Sequence, residues 1–173
     1  MNAPMRSVSL LEFQRRQKEH DVKSHWDIVC LSSQDRLKHL VLHFSKYVGR
    51  LAGNIDNKST AVTIADTFII SLATANVLNL NLSAKCGSGR VNTEMSPVEI
   101  HKRFWIGLAI ATGHMAKACE ALDHVERFNS REQLEIAVIE ICNLCLDAAA
   151  SMGIVLDEAV LARWNEIDAK RTL

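Results

Sequence analysis

The stretch Ser96-Pro97-Val98-Glu99-Ile100-His101-Lys102-Arg103-Phe104 decides how the whole chain is read, because it holds the signals that open an α-helix. A serine at the cap accepts from the backbone donor three residues on, the glutamate reaches back to the serine's own N–H, and the proline ring has its φ already set for the first helical position. Apolar residues then recur at three- and four-residue spacing to about Leu122. At an offset of 64, Ser32-Ser33-Gln34-Asp35 heads a second such pattern, running to about Ala52 with Gly53 and Asn54 as its stop. Each opening lies 17 residues before a glycine, Gly49 in one case and Gly113 in the other. A further pair of segments matches at an offset of 74: Ile64-Ala65-Asp66-Thr67 through Ala75-Asn76-Val77-Leu78-Asn79-Leu80 against Val138-Ile139-Glu140-Ile141 through Ala149-Ala150-Ser151-Met152-Gly153-Ile154. The connection inside the second copy is therefore ten residues longer, which a loop tolerates. Two copies of a helical hairpin are the reading.

The remaining segments fit the same class. A short helix is predicted from Leu10 to His20, followed by an irregular stretch through Trp26 and Cys30, and a helix from about Lys58 to Leu80. Ser83 to Met95, with Gly87, Ser88, Gly89 and Asn92, reads as the main loop. Ser130-Arg131-Glu132-Gln133 reads as a second capping box, opening a helix to about Met152 with Gly153 as its stop, and Asp157 caps a last helix to Lys170. The organisation that follows is an N-terminal helix and irregular segment over 1–31, a first half over 32–82, a linker over 83–95 and a second half over 96–173. No segment alternates strictly, so the fold class is all-α, a helical bundle.

Composition agrees and excludes several alternatives. The chain has 173 residues, 48% hydrophobic and 23% charged, enough to bury a core without disulfides or a structural metal. Two prolines and seven glycines are too few for the turns of a β-sandwich. Lys+Arg 20 against Asp+Glu 20, with a pI near 7.0, removes the field of a general nucleic-acid binder. No stretch reads as a signal peptide or approaches the ~20 apolar residues of a membrane span. Five cysteines, Cys30, Cys86, Cys119, Cys142 and Cys145, are odd in number and lie mostly in apolar segments, which reads as reduced thiols and a cytoplasmic protein. Cys142 and Cys145 have C-x-x-C spacing but fall in mid-helix with no second pair, so they read as inert core thiols.

Gly153-Ile154-Val155-Leu156-Asp157-Glu158-Ala159-Val160, followed by Ala162-Arg163-Trp164-Asn165-Glu166, resembles the end of a MazG-type, all-α nucleoside triphosphate pyrophosphohydrolase. Gly113-His114-Met115-Ala116-Lys117-Ala118 and Val48-Gly49-Arg50-Leu51-Ala52 resemble that family's E-x-x-E helix in two degenerate copies. The resemblance implies two MazG-like halves folded as an intramolecular pseudo-dimer. It also implies a cleft in which E-x-x-E on one helix and E-x-x-D on the next hold magnesium against a nucleotide's phosphates. Residues three apart share a helix face, and a hard divalent cation needs several oxygen ligands. Carried over, the first copy offers Tyr47 and Arg50, then Thr63 and Asp66; the second offers Ala111 and His114, then Ala137 and Glu140. Two carboxylates survive, Asp66 and Glu140, and Arg50 stands where a cation would sit. The resemblance further implies phosphate contacts from Arg163, Asn165, Lys170 and Arg171.

The function expected from these departures is a non-catalytic protein that binds a nucleotide or a protein partner through the inherited cleft, with Asp66, Glu140, His114, Arg50 and Tyr47 as its remnant. The alternative is an active pyrophosphohydrolase releasing pyrophosphate with Mg2+ or Mn2+ on a non-standard set around Asp66, Glu140 and His114. A scaffold without ligand is the third reading. Asp66 and Glu140 both fall in strongly apolar helices, so each is expected to find a partner, Arg50 or Lys46 for Asp66 and His114 for Glu140. His39 and His43, four apart on one helix, form a further metal-ligand candidate. Trp26, Trp105 and Trp164 read as core or interface anchors. A tandem pseudo-dimer is compatible with a monomer or with further homo-oligomerisation, and no membrane association is expected.

Overall fold

The computed structural model describes residues 9–53, 56–92 and 94–170. Over them the chain forms seven α-helices and no strand: α1 Leu10–Ser24, α2 Trp26–Val29, α3 Ser33–Gly53, α4 Asn57–Val77, α5 Pro97–Asp123, α6 Ser130–Ser151 and α7 Leu156–Lys170, with a 3-10 turn at Leu82–Ala84. The all-α expectation holds. Hairpins α3–α4 and α5–α6 make the body, with α3 against α5 and α4 against α6. Helices α1 and α7 lie on the remaining side of α4, the chain bending by 112° between α6 and α7 to bring α7 there.

The helix starts follow their capping chemistry. Ser96 accepts from the Glu99 N–H while Glu99 Oε2 accepts from the Ser96 N–H at 2.8 Å, which is the full capping box. Ser32 caps α3 through the Asp35 N–H, and Asp56 caps α4 through the Ser59 N–H at 2.8 Å. The second box is shifted by one residue: Asn129, not Ser130, accepts from the Glu132 N–H, and Ser130 is buried as the first residue of α6. Helix α1 runs to Ser24, beyond the predicted end at His20, and the irregular stretch contains the single turn α2.

The ends of α4 and α6 carry the same closure, which the end of α5 also shows at Val125 (φ 52°), where the Glu126 N–H donates to Ala121 O at 3.0 Å. Asn79 takes φ 52° and the Leu80 N–H donates to Ala75 O at 2.9 Å; Gly153 takes φ 66° and the Ile154 N–H donates to Ala149 O at 2.8 Å. These are Schellman closures, in which a left-handed residue turns the chain and two orphan carbonyls are satisfied. Those of α4 and α6 stand 74 residues apart, the offset of the sequence match.

Helix α4 is packed by α1, α3, α6 and α7, so it is apolar on every face, and Ile64, Phe68 and Leu72 are wholly buried. Its hydroxyls are satisfied within the helix: Thr63 donates to Ser59 O, Thr67 to Thr63 O and Thr74 to Ile70 O, at 2.7–2.8 Å. Contrary to the sequence expectation, one segment, Lys58–Val77, is long and apolar enough to cross a membrane by length and composition; 72% of it is buried inside the protein. The 83–95 loop is strapped across α6, where Asp147 Oδ1 accepts from the Arg90 N–H at 2.7 Å and Ser151 Oγ from the Asn92 N–H at 3.1 Å. Gly89 is required there, since a Cβ would stand 2.5 Å from the Leu146 carbonyl oxygen.

Candidate functional site

Where α1, α2 and α7 close over the outer faces of α3 and α4 they leave a cavity of about 280 Å³. Asp66 of α4, only 5% exposed, sits in its wall. Arg50 Nη1 donates to its Oδ2 at 2.9 Å, and Arg163 Nε donates to its Oδ1 at 2.7 Å. One carboxylate thus joins α3, α4 and α7. Arg163 is held from the other side by Glu166. Tyr47 is buried beside them, with the Arg50 guanidinium 5.2 Å and the Lys46 ammonium 4.9 Å from its ring centre. Burial, reinforced by the Asp66 charge, pushes the Tyr47 hydroxyl up and keeps it neutral.

Along α3 the His39 and His43 Nε2 atoms lie 3.1 Å apart, and Lys46 Nζ stands 3.3 Å from His43 Nδ1. Burial, with the neighbouring Lys46, His39 and His25, holds His43 down at about 4. At the α1 end, burial pushes the Asp21 carboxyl up to about 6, against the hydrogen bond from Gln17 and the charge of Arg36. Gln17 Nε2 donates to Asp21 Oδ1 at 2.7 Å, and Gln17 Oε1 accepts from Trp164 Nε1 at 2.7 Å. His20, stacked on Trp164, places Nε2 3.1 Å from Asp168 Oδ1. Arg36 Nε is buried against this cavity and finds no hydrogen-bond partner among the described residues.

The His43 position makes a stability prediction. Its folded-state value lies below the ordinary 6.5, so the unfolded chain takes up the proton first as pH falls. Stability that is complete above pH 6.5 is therefore lost on the way down toward pH 4. His43→Gln should flatten that limb by on the order of 2 kcal/mol, read by urea denaturation at pH 7 and pH 4.5.

The structure brings together Tyr47, Arg50, Asp66 and Arg163, the first-half remnant and one phosphate candidate. It does not bring in the rest. Glu140 is exposed on α6, where Ala137, Val138, Ile141 and Cys142 form the buried stripe, so the expectation that it is an uncomfortable charge in an apolar helix is corrected. His114 is exposed on α5, and no ion pair or hydrogen bond joins it to Glu140 among the described residues. Ala111 and Ala137 are wholly buried core residues of α5 and α6, inside the packed α3–α6 body, and neither lines the cavity around Asp66. Asn165 and Lys170 are exposed and lie off the cavity, while Arg171 falls outside the described residues. Trp164 is a buried anchor and Trp105 is half-buried, whereas Trp26 is 60% exposed, so of the core and interface readings it does not take the core one. Cys142 and Cys145 are buried with thiols pushed up, Cys145 by burial first, as inert thiols should be.

Sequence reasoning missed His20, Asp21, His25 and Arg36. The available signal was concentration: four of the seven histidines fall between residues 20 and 43.

The carboxylates do not fit a magnesium cage. Both oxygens of Asp66 are taken by guanidinium groups, and Thr63, the other carried-over position on α4, donates its hydroxyl to its own helix. No protein-family model matches the chain, and neither a curated protein nor a solved structure matches it.

Proposed function

We propose that this protein is a degenerate MazG-like double hairpin that binds a nucleotide, or a similar phosphate ester, in the cavity between α1, α3, α4 and α7 without hydrolysing it. The charge of the cavity wall carries the reading. Arg36, Lys46, Arg50 and Arg163 line it against two carboxylates, Asp21 and Asp66. Such a surplus attracts a polyanion, and guanidinium forks suit phosphate oxygens. Leu40, Ile69, Ile70 and Ala73 supply the apolar wall that a base or sugar needs, and about 280 Å³ suits a ligand near the small end of the usual range. The double hairpin is supported by the Schellman closures at the 74-residue offset and by the pairing of α3 with α5 and α4 with α6, the equivalent helices of a pseudo-two-fold.

Hydrolysis is not favoured, because the one buried carboxylate of the remnant is engaged by two arginines. The test is a panel of nucleoside mono-, di- and triphosphates with magnesium or manganese, followed by thermal denaturation and by release of phosphate and pyrophosphate. Stabilisation by several degrees without turnover is the expected result. Turnover that disappears in Asp66→Ala would establish the enzyme instead, and no shift with any nucleotide would leave the cavity as an element of a scaffold.

A further inference from the structure

We propose that His20, Asp21 and His25 form a binding site for a divalent first-row transition ion, zinc foremost, at the α1–α2 corner of the cavity. One ligand atom from each of the three lies within 4.8 Å of the others. Ligands of a tetrahedral zinc stand roughly 3.3 Å apart, so side-chain rotations alone bring the three into range. The backbone explains the convergence. His20 and Asp21 belong to the end of α1, which stops at Ser24; His25, with φ −138° and ψ 40°, turns the chain out of the helix and sets its ring 5.6 Å from that of His20. On a continued helix His25 would share a face with Asp21, four residues back, but would point away from His20, five residues back; the break brings the two rings together.

The outer partners point the same way, and they come from α7 as well as from α1 itself. Asp168 of α7 stands 3.1 Å from His20 Nε2, and is itself held by Ser24 Oγ at 2.9 Å and Lys23 Nζ at 3.0 Å. Asp21 is held by Gln17, and Gln17 by Trp164. A carboxylate behind an imidazole and an amide behind a carboxylate are the supports that orient metal ligands and raise their basicity. Two imidazoles with one carboxylate suit zinc and its neighbours better than magnesium, which wants oxygen throughout. The opposing influence is Arg36, whose charge bears on Asp21. Its removal should tighten metal binding.

The site lies in the same cavity, with Asp21 and Arg36 common to both, but it uses none of Tyr47, Arg50, Asp66 or Arg163, so titration with the metal alone tests it separately from nucleotide binding. The experiment is titration of the full chain, freed of metal by chelator, with zinc by calorimetry and with cobalt by visible absorption. One equivalent should bind, with the intense ligand-field bands of a four- or five-coordinate cobalt centre. His25→Ala and the isosteric Asp21→Asn should each weaken zinc binding by about a hundredfold, Asp168→Asn by about tenfold, and Arg36→Met should tighten it. Asp21→Asn keeps the proposal testable if His25→Ala proves unstable. No binding by the wild-type chain, or binding unmoved by both His25→Ala and Asp21→Asn yet lost in His39→Ala, would overturn the proposal.

Discussion

Asp66→Ala is expected to destabilise the protein by about 2–3 kcal/mol, a little below the usual range for breaking a buried pair because Arg50 and Arg163 both reach water. Removing the carboxylate leaves two guanidinium groups facing one space with nothing between them. The loss should therefore depend on the solution: phosphate or pyrophosphate, by occupying the vacated position between the arginines, should recover much of it. Asp66→Asn keeps the shape and one acceptor, so it should lose less and be rescued by the same anions. Urea denaturation with and without millimolar pyrophosphate reads this directly. A loss that chloride and pyrophosphate repair equally at matched ionic strength would mean that the arginines have no preference for phosphate and that screening alone restores the stability.

Trp164→Ala is the larger disruption, at about 3–5 kcal/mol. The indole is buried between α1 and α7, with Phe13 6.1 Å and His20 6.0 Å away between ring centres and the Arg16 guanidinium 5.2 Å above it. It also donates to Gln17, which holds Asp21. Truncation should loosen α7 and with it Arg163, so nucleotide binding should weaken along with stability. Trp164→Phe separates the two effects: the packing largely survives while the Nε1 hydrogen bond is lost, at about 1 kcal/mol. If Trp164→Ala left the denaturation midpoint within a few tenths of a molar of urea, α7 would not be anchored as described.

The body of the fold was legible because its signals are local. Ser96, Pro97 and Glu99 specify a helix start whatever surrounds them, and Asn79 and Gly153 close two helices in the same way. The difference between Asp66 and Glu140 was not legible in this sense. Both interrupt apolar helices, yet α4 is covered on all sides and α6 is not, so one carboxylate is sealed and the other is solvated. The Glu140 position could have been placed from the helical wheel, since Ala137, Val138, Ile141 and Cys145 share a stripe that excludes it. Nothing local foretells the cover itself. It depends on α7 turning back from α6 and on α1 extending to Ser24, whose hydroxyl meets Asp168 more than 140 residues away. The cavity is made by that closure, so the neighbourhoods of His20, Asp21 and Arg36 show no more of it than the clustering of histidines between residues 20 and 43.

The cations around Asp66 are inferred to bind phosphate without hydrolysing it. Calorimetric titration of the wild-type chain and of Arg163→Met with a nucleoside triphosphate, first without divalent ions and then with magnesium, tests it most directly. Saturable binding is expected without magnesium, weakened at least about tenfold in Arg163→Met and by rising salt, with the nucleotide recovered intact. Binding that requires magnesium, is indifferent to Arg163, or ends in released pyrophosphate would contradict it.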